Sequence, residues 1–441
     1  MLTWPVFLPS ARGNVTVLTA LSLLVVFIAC GTAIDFGRLL TARTQLAAAI
    51  DAAALQAGSS NVTDMKKLTA LATAVVARNY SEREHGPITA LKLSENNGQI
   101  DIWAKAKFRT SLLGLAGIRT IDIPISAQVI RSGSSIEVAL ILDTTGSMSG
   151  SKLKSLKSAA ASFIDAVVWD NQTRFYAKVA LVPYSAGVNL GAYADVARGA
   201  LKAGLCTEPG CLFYRFRNSN KFNVSFTAST CASERTGADA YTDAPPATAL
   251  VGINYASPNN PCLDGALIPL TTDKAKLKAA IDRLVAVGST AGQIGIAWGW
   301  YALSRDFGLW NGSSLPAAYG TEKVSKIAVI MTDGEFNTAY CNGVIARSSG
   351  NGSGSSNDKI NCDATNGSAA EQAMQLCAAM KKKGIAIYTI GFDIADDPAA
   401  KTVMTDCASS KKHAYLAATD AELKAAFREI GKRVSALRLS R

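Results

Sequence analysis

The stretch Ile136–Met148 reads IEVALILDTTGSM, and it decides how the rest of the chain is interpreted. An uninterrupted run of aliphatic residues ends at Asp143, and Asp143, Thr145 and Ser147 then alternate along a short turn. The next residues, SKLKSLKSAAASFIDAVV, carry apolar side chains at helical spacing. The pattern predicts a strand, an oxygen-rich turn and a helix. Its continuous apolar run favours a strand buried on both faces, as in a parallel sheet.

The turn offers oxygen ligands to a hard cation. Mg²⁺ binds oxygen atoms in a near-octahedral arrangement and keeps several waters. One carboxylate and two hydroxyls on alternating residues could present three oxygens to one side of the turn. Open α/β folds place their ligands at the carboxyl end of the sheet, where this turn would lie. Taken alone, Asp-x-Thr-x-Ser is equally typical of an ordinary capped turn between a strand and a helix.

The same stretch resembles the metal-ion-dependent adhesion site of von Willebrand factor A (VWA) domains, whose signature is Asp-x-Ser-x-Ser. Thr145 departs from that signature but keeps the hydroxyl. The family takes a further Thr from a separate loop and an Asp from the end of a later buried strand. Two later stretches match in order: AVGSTAGQIGIAWGWYAL, where Thr290 precedes an apolar helix, and SKIAVIMTDGE, where Asp333 ends an aliphatic strand.

The resemblance implies how five residues would hold a divalent cation, with Mg²⁺ expected and Mn²⁺ or Ca²⁺ as alternatives. Thr145, Ser147 and Thr290 would contact the ion directly or nearly so. Asp143 and Asp333 would hold it largely through waters and balance its charge. One coordination position would remain for an Asp or Glu carboxylate from a protein partner.

Length and pattern indicate several folded units. The 441 residues, 49% hydrophobic and 18% charged, are typical of two or three globular units with some membrane character. Alternating strand and helix patterns, together with the resemblance, predict an α/β domain at residues 135–441 with a doubly wound, mostly parallel sheet. We expect residues 59–132 to form a small strand-rich or α+β unit. Gly133–Ser135 are expected to form a hinge after it.

An insertion at about residues 199–268 interrupts the predicted α/β domain. It contains four cysteines, several prolines and little periodicity, which favours an insertion held by disulfides. Its aromatic residues form either a small core of the insertion or a recognition face: Phe213, Tyr214, Phe216, Phe222 and Phe226.

Residues 15–34 carry no charge and, as a helix of about 30 Å, are long enough to cross a bilayer. They predict an uncleaved transmembrane helix, preceded by a short cytoplasmic segment at residues 1–14 and followed by a helical extension at residues 35–58. A cleaved signal peptide and a lipoprotein signal ending at Cys30 are the alternatives.

The cysteines indicate the compartment. Apart from Cys30, all eight follow the apolar stretch, and no C-x-x-C pair or Cys/His cluster supports zinc. Up to four disulfides in an oxidising compartment are the better interpretation, which places the bulk of the chain outside the cytoplasm. The connectivity is not readable from the sequence. Pairing neighbours in chain order, Cys341 with Cys362 and Cys377 with Cys407, is one arrangement.

The first sixty residues resemble a second family. An RGN opening at residues 12–14, the apolar span, a DFGR step at residues 35–38 and a DAAAL ending at residues 51–55 are similar to the N-terminal segment of TadE/TadG-like proteins. These proteins serve bacterial tight-adherence (Flp) pilus assembly systems. The resemblance implies a single-pass protein of the bacterial inner membrane, with its bulk in the periplasm or outside the cell. The apolar stripe from Leu39 to Ile50 either bundles with similar helices or packs on the following unit.

The sequence does not indicate an enzyme. No Gly-x-Ser-x-Gly elbow or Walker loop occurs, and His85 and His413 fall in different predicted units. The aspartyl-phosphate loop of P-type ATPases would need a Lys where Thr144 stands. The net charge of +11 comes from scattered residues, which does not indicate nucleic-acid binding and is compatible with contact to an anionic membrane or cell surface.

Two classes of function remain. In the first, the chain is a membrane-anchored, metal-dependent adhesion or assembly factor that binds an acidic residue on a pilus or surface component. In the second, it is a structural, pseudopilin-like component that assembles through its N-terminal helix and displays the VWA domain as an interaction module.

Overall fold

The chain divides into two compact units, one up to residue 132 and one from residue 133. The computed structural model describes residues 12–60, 62, 64–96, 99–130, 134–169, 172 and 175–437. Most of the predicted cytoplasmic segment and Gly133 of the predicted hinge lie outside the described residues, and Ser135 of that hinge is the first residue of a strand.

The first unit combines helices with a three-stranded antiparallel sheet in the order β1-β2-β3. Its elements are α1 (Arg12–Ser59), α2 (Met65–Asn79), α3 (Glu82–His85), β1 (Ile88–Asn96), β2 (Gln99–Arg109) and β3 (Thr120–Ile130). Alternate residues of β2, from Ile100 to Phe108, are buried in one core with α1 and α2. The alternation in the sequence therefore corresponds to one apolar and one solvated face of this sheet.

Helix α1 has two halves with different surroundings. From Val15 to Ile34 its apolar side chains are exposed, and this helix is long and apolar enough to cross a membrane. Farther along, Ala42, Leu46 and Ile50 are fully buried in the core of the first unit. Of the two predicted roles for this apolar stripe, packing on the chain's own unit is therefore the one observed.

The second unit contains a central sheet, surrounding helices and an added small sheet. Its elements are β4 (Ser135–Asp143), α4 (Ser151–Val167), β5 (Ala177–Tyr184), β6 (Val188–Asn189), α5 (Ala194–Arg198), β7 (Lys202–Cys206), β8 (Cys211–Arg217), β9 (Asn223–Ser233), β10 (Gly252–Tyr255), β11 (Ile268–Thr271), α6 (Lys274–Asp282), α7 (Gly292–Leu303), β12 (Val324–Thr332), β13 (Tyr340–Cys341), β14 (Val344–Ile345), α8 (Ala369–Lys382), β15 (Ala386–Phe392), α9 (Pro398–Cys407), β16 (Ala414–Ala417) and α10 (Asp420–Leu437).

The central sheet has the order β11-β5-β4-β12-β15-β16. Its neighbouring strands run parallel except β11, which is antiparallel to β5. Helices α4, α6 and α10 pack in the core on one face, and α7, α8 and α9 in the core on the other. The predicted mixed α/β architecture is confirmed. Residues 135–441 are less parallel than predicted, because β11 is antiparallel to β5 and the insertion adds a mainly antiparallel sheet.

The insertion forms a sheet of its own, in the order β10-β9-β8-β7 with β6 beside β9. Its aromatic residues divide between the two predicted roles. Tyr214 and Phe216 are buried and Phe226 packs against them, whereas Phe213 and Phe222 are exposed. The aromatic set is therefore a small core with two residues left on its surface.

Four disulfides link the eight cysteines that follow the apolar stretch. They join Cys206 to Cys211, Cys231 to Cys262, Cys341 to Cys362 and Cys377 to Cys407. Pairing in chain order is therefore confirmed, and the four disulfides agree with the predicted oxidising compartment.

Helix α7 lies close to the central sheet because glycines face the strands. A Cβ on Gly299 would lie 2.2 Å from the Cδ1 atom of Ile141, and one on Gly295 would lie 2.6 Å from a ring carbon of Tyr184. Both distances are shorter than Cβ atoms show in proteins, so a side chain at either position would force Ile141 or Tyr184 to shift within the core. The approach matters for the site below, since α7 begins two residues after Thr290.

We expect Gly299→Ala to lower the free energy of unfolding of the second unit by about 1–3 kcal/mol, through overpacking against β4. Chemical denaturation followed by the fluorescence of the buried Trp298 and Trp300 measures this loss. Gly431→Ala in α10 is the matched control, because its Cβ would lie 3.3 Å from the nearest atom, the Cβ of Ala166. Equal stability changes in the two variants would contradict the predicted clash.

Candidate metal centre

The candidate site lies where three parallel strands of the central sheet end. Asp143 is the last residue of β4, Asp333 follows the last residue of β12, and Asp393 follows the last residue of β15. Met331 of β12 pairs with Leu142 of β4, so the carboxyl ends of these two strands are level. Parallel pairing thus brings together carboxylates that are far apart in the sequence.

Two hydroxyl groups connect the carboxylates of Asp143 and Asp333. The Thr145 hydroxyl donates to Oδ1 of Asp143 at 2.6 Å and lies 2.9 Å from the Ser147 hydroxyl. The Ser147 hydroxyl donates to Oδ1 of Asp333 at 2.6 Å. Four of the five predicted site residues are therefore joined in one hydrogen-bonded chain, which we call the oxygen chain.

The carboxylate of Asp143 is buried and surrounded by donors. Besides Thr145, the hydroxyls of Thr332 and Tyr184 donate to its Oδ2 atom, at 2.8 and 3.3 Å. Burial raises the pKa of Asp143 to about 6, and the negative charge of Asp333 adds to the rise, although the hydrogen bonds oppose it. Ionising both carboxylates is therefore costly without a nearby positive charge.

Lys152 supplies one positive charge at this edge. Its ammonium group lies 3.1 Å from Oδ2 of Asp333 and 3.0 Å from Oδ2 of Asp393. Burial opposes the charge of Lys152, but the hydrogen bonds to Asp393 and Asp333 outweigh it and raise its pKa. The ammonium group contacts Oδ2 of Asp333, whereas Ser147 contacts Oδ1. The two oxygens of this carboxylate thus face different partners.

The loop that carries Thr290 is fastened to the oxygen-rich turn through backbone groups. The N–H of Gly146 donates to the carbonyl of Gly288, and the N–H of Val287 donates to the carbonyl of Thr144, both at 2.9 Å. Among the described residues, no hydrogen bond joins the Thr290 hydroxyl to the oxygen chain. The structure therefore places the loop of Thr290 at the site without linking its side chain to the other four.

Two asparagines from other segments accept hydrogen bonds from the backbone of this loop. Oδ1 of Asn337 accepts from the backbone N–H of Thr290 at 3.1 Å, and Oδ1 of Asn260 accepts from the backbone N–H of Ser289 at 2.8 Å. Asn260 is buried near the end of the insertion. Loop geometry near Thr290 therefore depends on residues from two separate segments, neither of which has a recognisable sequence signal.

Sequence reasoning missed Lys152, Thr332 and Asp393. A signal existed for Asp393, because it follows a predicted strand at the same edge as Asp333. Nothing in the local pattern distinguishes Lys152 from the other lysines of α4. Across the described residues, no cluster of three or more His, Cys, Asp or Glu is suited to a metal ion. Any cation held by the oxygen chain would therefore depend on hydroxyls as well as carboxylates.

Residues 13–60 match the protein family described as "Putative Flp pilus-assembly TadE/G-like". This confirms the predicted resemblance of the N-terminal segment, and it covers α1. The apolar helix and this match together support membrane anchoring. Among curated proteins, none matches the chain in sequence.

Solved structures similar to this chain include von Willebrand factor and pilus adhesin structures at low identity. The vWF domain of the type V pili tip protein Mfa5 from Porphyromonas gingivalis is 14% identical, with a TM-score of 0.40, covering 70% of this chain and 97% of that one. The pilus adhesin SpaC from Lactobacillus rhamnosus GG is 13% identical, with a TM-score of 0.35, covering 78% of this chain and 33% of that one. The pilus adhesin RrgA from Streptococcus pneumoniae is 11% identical, with a TM-score of 0.39, covering 78% and 48%.

We expect Lys152→Met to lower the free energy of unfolding by about 1–3 kcal/mol, because the buried carboxylate of Asp333 loses the ammonium group that pairs with it. The measurement is made in a chelating buffer, so that no metal ion replaces the lost charge. Asp393→Asn is the matched control. It removes only the contact of Lys152 with a carboxylate that is 56% exposed, and such pairs contribute about 0–1 kcal/mol. A larger loss in the control than in Lys152→Met would contradict the assignment of Lys152 to Asp333.

Proposed function

We propose that this chain is a membrane-anchored adhesion or assembly factor of a Tad/Flp-type pilus system, and that its second unit is a VWA-type domain that binds a partner through a divalent cation. The observation that carries the proposal is the oxygen chain from Asp143 through Thr145 and Ser147 to Asp333. Its position where parallel strands end is the usual ligand-binding edge of an open α/β sheet.

The residues present fit a hard divalent cation. Two carboxylates and two hydroxyls form one continuous hydrogen-bonded chain. Burial raises the pKa of Asp143, and the negative charge of Asp333 adds to the rise, so a nearby cation would stabilise the ionised pair. Asp143, Thr145, Ser147 and Asp333 would hold the ion, and Thr290, whose loop is fastened to the oxygen-rich turn, would be the fifth ligand residue. Mg²⁺ suits these oxygen ligands best, and Mn²⁺ and Ca²⁺ accept the same donors.

A partner would reach this ion from the solvent side. Gly146 and Ser147 are exposed, although Asp143 and Thr145 are buried. Hydroxyl ligands add no charge, so a bound ion would keep a preference for an incoming Asp or Glu carboxylate. We propose that this carboxylate belongs to a pilus or surface component. The site supplies no nucleophile with an adjacent base, so the proposed role is binding and not catalysis.

The proposed location is the bacterial inner membrane, with the bulk of the chain in the periplasm or outside the cell. Four disulfides after the apolar half of α1 support an oxidising compartment for the second unit. The family match of residues 13–60 supports the pilus system.

Thermal unfolding of the full chain in nanodiscs with Mg²⁺, Mn²⁺ or Ca²⁺ tests the metal site. An ion that binds only the folded state should stabilise it by about 2.7 kcal/mol at a hundred times its dissociation constant. We expect Asp143→Ala and Asp333→Ala to abolish this shift in melting temperature. Asp165→Ala, an exposed carboxylate on α4 that pairs with Lys278, should leave the shift unchanged. Melting curves that none of the three ions moves would refute the metal site.

A second candidate function has its own supporting observation. The apolar half of α1 is exposed, whereas its other half is built into the core of the first unit. A helix of this kind could assemble side by side with copies of itself, as in a structural pseudopilin-like component. In that case the second unit would be a displayed module, and a metal ion would be incidental to assembly.

Single substitutions in the living cell separate the two candidates. We expect Asp143→Ala to abolish adhesion or pilus assembly at normal protein levels, because the partner contact depends on the ion. Phe27→Ala, which changes a 70% exposed residue in the apolar half of α1, should have little effect. The opposite pattern would favour the pseudopilin-like role. Leu55→Ser, a 66% exposed position farther along the same helix, controls for a general effect on α1.

A further inference from the structure

The loop between β2 and β3 exposes an unusual group of apolar side chains. Leu112 is 41% exposed, Leu115 is 84% exposed and Ile118 is 49% exposed, within a loop that spans residues 110–119. A short 3₁₀ helix, Leu113–Ala116, forms its tip. Single exposed apolar residues are ordinary, but a contiguous group usually marks a surface that contacts something.

Contact with α1 places this loop at the level of the apolar span. A Cβ on Gly31 would lie 2.7 Å from the Cβ atom of Leu112, so the loop packs directly on the helix backbone there. Gly31 belongs to the exposed apolar half of α1, and it is buried there while its neighbours in the helix are exposed. It precedes Asp35 by four residues, or about 6 Å along a helix. If the apolar half of α1 lies in a bilayer, Leu112 therefore lies at membrane depth.

The carboxylate of Asp35 holds the loop at this level along α1. It accepts hydrogen bonds from the backbone N–H groups of Ser111, Leu112 and Leu113, at 2.7 to 3.1 Å. Asp35 is 1% exposed, and these three donors satisfy a buried charge that would otherwise be costly beside hydrocarbon. Arg38 adds a hydrogen bond from its guanidinium to the Ser111 hydroxyl.

Positively charged side chains stand at the two ends of the loop, which we call its neck. Arg109 and Arg119 stand at its two ends, where the N–H of Thr110 donates to the carbonyl of Arg119. Both arginines are exposed. Apolar residues at a tip with arginines behind them are the arrangement that suits the boundary between acyl chains and anionic headgroups.

We propose that residues 110–119 form a membrane-dipping loop, in which Leu112, Leu115 and Ile118 insert into the leaflet that faces the bulk of the chain. The arginines at its neck would contact lipid phosphates. The first unit would then hold the membrane at two places, through α1 and through the loop, and Asp35 would fix the distance between them. The inference rests on the proposed membrane span of α1, and it is independent of the metal site.

The experiment is a depth measurement on the full chain. Single cysteines replace Leu115, Val25 and Leu55 in a Cys30→Ser background, and each is labelled with an environment-sensitive fluorophore. The disulfide-bonded cysteines do not react with the label. The chain is placed in phosphatidylethanolamine–phosphatidylglycerol nanodiscs, and quenching by a nitroxide lipid is compared with quenching by aqueous iodide. Val25 reports the apolar span, and Leu55 reports an exposed position outside it.

We expect the label at position 115 to be quenched by the nitroxide lipid, to be protected from iodide and to emit at shorter wavelength than the label at position 55. Asp35→Asn should partly reverse all three effects, because the loop loses its fixed height. A label at position 115 that behaves like that at position 55 overturns the loop proposal alone. Protection from both quenchers also overturns it, because a protein partner would then cover the loop. Iodide quenching at position 25 overturns the membrane span and the loop together.

Discussion

The parallel pairing of β4 with β12 is the constraint on which the candidate site depends. It places the ends of two buried strands side by side, and each end carries a carboxylate. Burial raises the pKa of Asp143, and the negative charge of Asp333 adds to the rise. Hydroxyl donors and Lys152 stabilise the arrangement.

Other residues around this edge hold its loops in place. Glycines of α7 allow the helix to approach the sheet closely, and α7 begins just after Thr290. Asn260 and Asn337 hold the preceding loop from the insertion and from the segment after β12. Each of those two segments contains a disulfide, Cys231–Cys262 in the insertion and Cys341–Cys362 after β12. A binding site that forms from loops on a rigid sheet needs such supports, because loops alone have many conformations.

The buried carboxylate of Asp35, in the first unit, is stabilised in a different way. Asp35 has backbone N–H groups as its main partners, in contrast to the hydroxyls and the lysine at the other site. Backbone donors fix direction and height without needing a mobile cation, which suits a position next to the apolar half of α1. The chain thus holds Asp35 through backbone groups of a second segment, whereas Asp143 and Asp333 are connected through side-chain hydroxyls and a lysine.

Local patterns in the sequence determined much of this protein. The apolar span, the period-two strands of the first unit, the strand before Asp143 and the alternation of Asp143, Thr145 and Ser147 all depend on neighbours in the chain, so they could be predicted. The tertiary structure alone decided what depends on distant residues. It placed Lys152 between Asp333 and Asp393, buried Leu46 and Ile50 of the apolar stripe in their own unit, and paired the strands of the insertion. Those outcomes follow from register and packing between segments far apart in sequence, which no local periodicity encodes.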